Sequence, residues 1–332
     1  MSDYVKVNIK LDEPVAPVKY ARPDYRQEVY DHIPGSVLRG AIAAVWRQKG
    51  IDPTSEKFLD VFEGEGSFGP LHSSQSLPIP ISVHLHKHVP LEDCTLSWDA
   101  ADPEEVHPER CSHCGSEYEA SKGQAHGSVS ITSRTMTRLD TNGVAEDGYL
   151  FSQQELDAGL QLEGWLYGPA VGALTDDAVR VKELLLGSRR GVRGAATISF
   201  ERGTRATAVQ ASGNEVILRL ASPGLFVDEF GMPTEIPDLE EIRSVLGMKE
   251  ITLVDYWSRW TDAGGWHAAS GLPKPTERAV AAGSTYRLRF EAAVPKPARE
   301  ELAARGVGLR RREGFGALYK YNPESFRTMG AR

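Results

Sequence analysis

Three groups of residues in this 332-residue chain have types and spacings that could do chemistry. The first is Cys111-Ser112-His113-Cys114-Gly115, a C-x-x-C pair followed by glycine. Two thiolates on such a turn can share one ion, and the shape is that of a zinc knuckle. A complete site needs two more ligands, and Cys94, His84, His86, His88, His107, His113 and His126 are the candidates. The chain has no H-E-x-x-H, and the expected metal is structural. The second group is two Gly/Arg segments, Gly187-Ser188-Arg189-Arg190-Gly191-Val192-Arg193-Gly194 and Gly306-Val307-Gly308-Leu309-Arg310-Arg311-Arg312-Glu313-Gly314-Phe315-Gly316. Glycine lets a backbone approach a ligand closely, and Arg forks with successive N–H groups suit phosphate oxygens. The third group is Asp24, Asp31 and His32, in the loop before Pro34-Gly35-Ser36. Asp24 and His32 are weak candidates for acid–base work, because a loop Asp and a His beside a turn are ordinarily structural. No catalytic residue is assigned. G-x-x-x-x-G-K-[ST] is absent and G-x-G-x-x-G fails in 306–316, so no nucleotide cofactor is expected.

The elements that must position these groups are legible in part. Tyr4 to Leu11 alternates as a half-buried strand. Residues 12–33 lack periodicity and read as a loop. Ser36 suits the N-cap of a helix with Val37, Leu38, Ala41, Ile42 and Val45 on one face. Phe58 to Phe62 reads as a short helix and Pro78 to Val83 as an edge strand. Alternation predicts strands at 156–166, 197–200, 215–220, 251–257, 285–290 and 318–321. Helices are predicted over 175–186, 239–246 and 297–304. Each Gly/Arg segment would then follow a helix and precede a strand, so the two look like copies of one small α+β module.

Composition sets the bounds. The chain is 40% hydrophobic and 25% charged, an ordinary globular balance. Three cysteines are too few for a secreted disulfide framework. No apolar run reaches the ~18 residues of a membrane span, and no signal peptide is visible, so the expected compartment is the cytoplasm. The net charge of −8 counts against a broad nucleic-acid footprint, but leaves room for a local basic groove.

Several motifs together resemble the RAMP superfamily of CRISPR-associated proteins. The loop 306–316 is similar to that superfamily's Gly-rich motif, and Ile33-Pro34-Gly35-Ser36-Val37-Leu38-Arg39-Gly40-Ala41 to its Pro-Gly-Ser turn. Arg138-Leu139-Asp140, Tyr149-Leu150-Phe151-Ser152, Phe226-Val227-Asp228-Glu229, Gly264-Gly265-Trp266-His267 and Gly271-Leu272-Pro273-Lys274-Pro275 look like the RAMP subunit of type III-D systems. The resemblance implies tandem ferredoxin-like (RRM-like) α+β modules. Residues 1–205 would form the first, carrying a Cys/His-rich insertion at about 84–125, and 206–332 the second. It implies a non-catalytic subunit that binds guide RNA (crRNA) at its repeat-derived 5′ handle and touches target RNA indirectly. Its partners would be other RAMP backbone subunits and the large polymerase-like subunit, with no membrane. The expected RNA-binding residues are Ser36, Arg39, Arg189, Arg190, Arg193, Trp266, Gly308, Arg310, Arg311, Arg312, Gly314, Phe315 and Gly316. The resemblance also sets His86 where relatives carry a Cys, with Cys94 or His107 as the fourth ligand. The expected zinc set is Cys94, Cys111, Cys114 and His86. Two alternatives stand beside this reading: a RAMP endoribonuclease cutting target or precursor RNA, and a zinc-stabilised protein-interaction module without RNA.

Overall fold

The computed structural model describes residues 4–21, 26–88, 94, 96–105, 108–125, 127–175, 181–187, 193–267 and 272–322, with the side chains of Tyr20, Ala21, Arg26, Gln27, Trp266, His267 and Pro273 outside that description. The chain is a mixed α/β protein, rich in antiparallel sheet and with few helices. It divides into two compact units, residues 1–76 with 128–204 and residues 77–127 with 205–332. The sequence reading hung the Cys/His-rich stretch on the first module. The structure instead packs 77–127 with the second unit, because its apolar residues Ile79 and Val83 cluster with Ala221, Tyr319 and Tyr321.

In the first unit, strand Tyr4–Leu11 lies between strands Gln161–Tyr167 and Ala195–Glu201, antiparallel to both. Strand Ser67–Phe68 closes one edge and Glu183–Leu185 the other. Val5, Val7, Ile9 and Leu11 turn one face of the central strand into the core, as its alternation requires. Helix Gly35–Gln48 covers that face with Leu38, Ala41, Ile42 and Trp46. Ser36 is not its cap. Pro34 holds that position with φ −58° and ψ 145°, and Ser36 sits exposed in the first turn. The second helix, Glu56–Phe62, is capped by Ser55, whose hydroxyl accepts from the Phe58 N–H.

Two expectations for this unit fail. The span 12–33 contains strands Val18–Ala21 and Arg26–Val29. The helix read over 175–186 is a strand where it is described: Leu184 and Leu186 are buried while Leu185 is exposed, a period of two that the run of leucines hides. A long hairpin, Ile131–Leu139 paired with Ala145–Leu156, was not foreseen in the sequence pattern. Both faces of most of it meet water, so it carries no apolar alternation. Its turn was written in the residues, because the Asp140 carboxylate accepts the N–H groups of Asn142 and Val144 and Gly143 takes φ 77°.

The second unit has a four-stranded sheet in the order Gln210–Ser212, Glu215–Arg219, Thr285–Phe290, Ile251–Trp257. Helices Leu239–Leu246 and Lys296–Arg305 pack against each other. The expected last strand at 318–321 reduces to one bridge, Leu318 with Leu220. The two Gly/Arg segments are therefore not copies. The first joins two antiparallel strands and the second follows a helix.

The segment 77–127 adds a three-stranded sheet in the order Trp98–Asp99, Val83–His86, Tyr118–Ala120. It meets the larger sheet through a buried ion pair, with Arg219 Nη2 2.5 Å from Asp99 Oδ2. Arg219 Nη1 also donates to Gln210 Oε1 at 2.8 Å, and the guanidinium lies over the Tyr321 ring. Removing one partner strands a desolvated charge, so Asp99→Asn should cost roughly 3–5 kcal/mol in urea unfolding. Asp99→Leu with Arg219→Met should recover most of that loss, since an apolar pair needs no counter-charge. A single substitution costing under about 1 kcal/mol would mean that the pair is solvated.

Candidate metal centre and Gly-rich loop

The small sheet aims His86 and Tyr118 at each other across one register position, and their rings stack at 5.1 Å. The knuckle follows from backbone bonds: Gly115 N–H donates to Cys111 O, Cys111 N–H donates to Ser116 O, and Gly115 takes φ 70°. This brings the donor atoms of His86, Cys94, Cys111 and Cys114 within 4.8 Å of one another. Cys94 Sγ lies 3.8 Å from Cys111 Sγ, and Cys114 Sγ lies 3.5 Å from His86 Nε2. A tetrahedral ion with sulfur bonds of ~2.3 Å sets its sulfurs ~3.8 Å apart, so these four residues could hold one metal ion.

The local field favours thiolate at one of them. Burial pushes the Cys111 thiol up, but hydrogen bonds from the Tyr118 hydroxyl, the Cys114 N–H, His86 and the His113 N–H outweigh it and bring it to about 5. Burial raises Cys94, as does the neighbouring Cys111. Tyr118 and Ser116, whose hydroxyl lies 3.3 Å from Cys114 Sγ, were not foreseen; only their nearness to the pair in sequence pointed to them. The other histidines go elsewhere. His84 stacks on Trp98 at 3.9 Å, His88 and His113 are exposed, and His107 and His126 lie outside the described residues.

The Gly-rich loop is built by close approach. Gly306, Gly308, Gly314 and Gly316 all have φ between 66° and 90°. A Cβ on Gly316 would lie 1.7 Å from Val307 O, and one on Gly308 would strike the Phe226 ring at 2.6 Å. Ser222 donates from its hydroxyl to Gly314 O at 2.6 Å and accepts the Ala317 N–H. These glycines thus fit the loop onto the segment 222–226.

The loop arginines have carboxylate partners. Arg310 donates from Nε and Nη2 to Glu313 at 3.0 and 2.8 Å, and also pairs with Glu277. Its guanidinium lies 4.9 Å from the Phe315 ring centre. Lys274 joins Glu313 as a second cation. Arg311 and Arg305 share Glu241. Arg312 is half-buried in the same turn. The residue signal was present, since Arg310 and Glu313 stand three apart in a helical turn.

The remaining expected residues are dispersed. Arg39 donates from Nε to Phe62 O at 2.8 Å and pairs with Glu63, tying the first helix to the second. Arg193 donates to buried Glu155 at 2.6 Å, and Arg134 reaches the same carboxylate at 3.1 Å. Trp266 lies in a two-residue strand paired with Pro273. Arg189, Arg190 and Asp24 lie outside the described residues. His32 Nδ1 lies 2.8 Å from Asp31 Oδ1, and its ring stacks on His72 at 4.3 Å. Burial pushes the Asp31 carboxyl up, but His32 and His72 outweigh it and hold it below its ordinary value.

Residues 137–322, more than half of the chain, match the family model described as CRISPR-associated protein (Cas_Cmr3). The chain belongs to this family. The matched span holds most of the long hairpin, the larger sheet and the Gly-rich loop, and begins after the Cys/His segment. No curated protein matches the sequence. Solved structures similar to it include a chain of the Type III-B Cmr-beta bound to cognate target RNA and AMPPnP, at 13% identity and TM-score 0.48, with 85% of this chain and 86% of that chain covered. A RAMP protein binding different RNA substrates aligns at 10% identity and TM-score 0.40, with 96% and 99% covered. A third, from work on a Cas6-related gene of Pyrococcus furiosus, aligns at 12% identity and TM-score 0.38, with 96% and 99% covered.

Glu313 makes the loop sensitive to acid. Burial pushes its carboxyl up, but Arg310 and Lys274 outweigh burial and bring it down from 4.5 to about 2. A depressed carboxylate contributes stability above its unfolded value, and that stability is lost as the pH falls toward its folded value. Wild type should therefore lose urea stability from pH 4.5 down to about 2 more steeply than Glu313→Gln. Equal slopes would show the carboxylate uncoupled from folding.

Proposed function

We propose that this chain is a non-catalytic, guide-RNA-binding subunit of a type III CRISPR effector complex. The observation that carries this reading is the family match over 137–322, which includes the Gly-rich loop. We further read each unit as a ferredoxin-like module. In the first unit, strands Tyr4–Leu11, Ser67–Phe68, Gln161–Tyr167 and Ala195–Glu201, counted one to four along the chain, lie in the order four-one-three-two, with a helix in each crossover. The second unit supports it with strands one, two and three in the same relation. The III-D subtype rests on the motif resemblance, whereas the family model carries the name Cmr3.

In this reading the partners are RNA and neighbouring RAMP subunits, as the names of the similar Cmr-beta and RAMP structures fit. No helix among the described residues is long and apolar enough to cross a membrane, which fits work in the cytoplasm. His86, Cys94, Cys111 and Cys114 hold a structural zinc, the ion that best suits three thiolates and an imidazole at tetrahedral spacing. It fastens a polar segment with little apolar surface of its own.

RNA contact then divides among the expected residues. Ser36, Trp266, Arg189 and Arg190 meet the RNA. Arg39, Arg193, Arg310 and Arg311 chiefly fix the elements that present them, because carboxylates and carbonyls already take up their donors.

Two measurements test this. The purified protein should bind repeat-derived RNA more weakly as salt rises, and Arg189→Ala with Arg190→Ala should lower the slope of log K against log salt by about one per lost phosphate contact. The RNA should remain intact. Salt-independent binding would favour the interaction module, and cleavage would overturn the non-catalytic assignment. Metal analysis should find about one zinc per chain, lost in Cys111→Ser. A metal-free protein of unchanged stability would remove the zinc.

A further inference from the structure

Among the described residues, Phe230 is the most exposed large apolar side chain at 81%, and Met232 beside it is 61% exposed. All seven residues from Val227 to Pro233 are exposed. Such a stretch would ordinarily be a mobile loop, but this one is tied. The Asp228 carboxylate accepts the N–H groups of Phe230 and Met232, each at 2.9 Å. Asp228 N–H donates to Met232 O, and Gly231 N–H donates to Asp228 O. Val227 bridges Pro233 at the neck, and Thr234 N–H donates to Phe226 O. Gly231 supplies the left-handed turn residue at φ 77°. Below the neck, Phe226 is buried and packs edge-on against Tyr286.

A chain held this way presents its side chains with little ordering left to lose on binding. Single exposed apolar residues need no explanation, but an aromatic and a methionine raised together on a fixed turn form a binding anchor. The charge around them indicates what they bind. No Lys, Arg or His occurs between Arg219 and Arg243, while Asp228, Glu229, Glu235 and Asp238 fall in that interval, beside Glu240 and Glu241, which pair with Arg243, Arg305 and Arg311. Asp228 and Glu229 flank the anchor directly and are exposed. Phosphate oxygens approaching Phe230 would be repelled, which disfavours stacking on a nucleic acid.

We infer that the Phe230–Met232 turn is a protein-docking anchor that seats in an apolar pocket rimmed by Lys or Arg on a different subunit of the effector complex. The charge of the interval supplies the complementarity, and the chain's own net charge of −8 makes a second copy a poor partner. The inference rests on the chain being a subunit of such a complex.

The test uses the assembled complex, formed by co-expressing the chain with its neighbouring subunits and guide RNA. Phe230→benzoylphenylalanine serves as the photo-cross-linking probe. The expected product is a cross-link to a different protein subunit, at a peptide containing Lys or Arg. Phe230→Glu with Met232→Glu should lower recovery of that subunit by about tenfold or more, the loss expected of a central anchor. Its circular dichroism and unfolding midpoint should match wild type, since both side chains lie outside the core. A cross-link to RNA or to a second copy, or full recovery of every subunit with the double variant, would overturn the inference and leave the subunit assignment standing. Wild type that recovers neither RNA nor any subunit would overturn both.

Discussion

The buried pair of Asp99 and Arg219 is the contact on which the second unit turns. Residues 77–127 offer few apolar side chains, so hydrophobic burial alone holds them weakly. A charge removed from water needs a partner of matching geometry, and Asp99 supplies it from a two-residue strand. That strand pairs with Val83 and His84, which lie in one strand with His86. The Tyr319 hydroxyl adds a bond to Pro78 O at 2.6 Å. His86 therefore sits on a sheet that an ion pair ties to the rest of the unit, while Cys94, Cys111 and Cys114 lie outside its strands.

The Gly-rich loop shows a related economy of charge. Read as sequence, three consecutive arginines are a phosphate clamp. In the structure Glu313, Glu277 and Glu241 surround two of them. A guanidinium held by two carboxylates has a fixed direction, and a half-buried pair is screened by salt less than an exposed one. What this arrangement gains is a loop whose backbone is set before any ligand arrives. What it gives up is free positive charge at Arg310 and Arg311.

Much of the fold was legible because burial follows period. Tyr4–Leu11 and the helices Gly35–Gln48 and Leu239–Leu246 each bury one face, and their residues say so. The hairpin over 131–156 was hidden because most of it buries neither face. The strand at 183–185 was hidden because a leucine run has no visible period. The metal tetrad was legible through Cys111 and Cys114, whose spacing is a local fact, and through family resemblance for His86 and Cys94. The ion-pair partners of the arginines were not legible, apart from Glu313. Glu155, Glu241 and Glu277 lie far from their arginines in sequence, and only the fold brings them close.

The same separation of charge shapes the surface of the second unit. Acidic residues concentrate between 226 and 242, and the arginines of the Gly-rich loop follow one helix and one sheet later. The two regions nevertheless touch. Gly308 lies against the Phe226 ring, Leu309 N–H donates to Leu225 O, and Glu241 reaches across to Arg311. An arginine-bearing loop beside an acidic turn gives one unit two neighbouring surfaces of different composition. Like charges placed together cost several kcal/mol, of order the discrimination that sets register between partners. Under the proposed function, an RNA strand laid along the loop would be steered off the turn, and a basic protein surface seated on the turn would be steered off the loop. The glycines that allow the close contact at Phe226 thus fix the distance between the two surfaces.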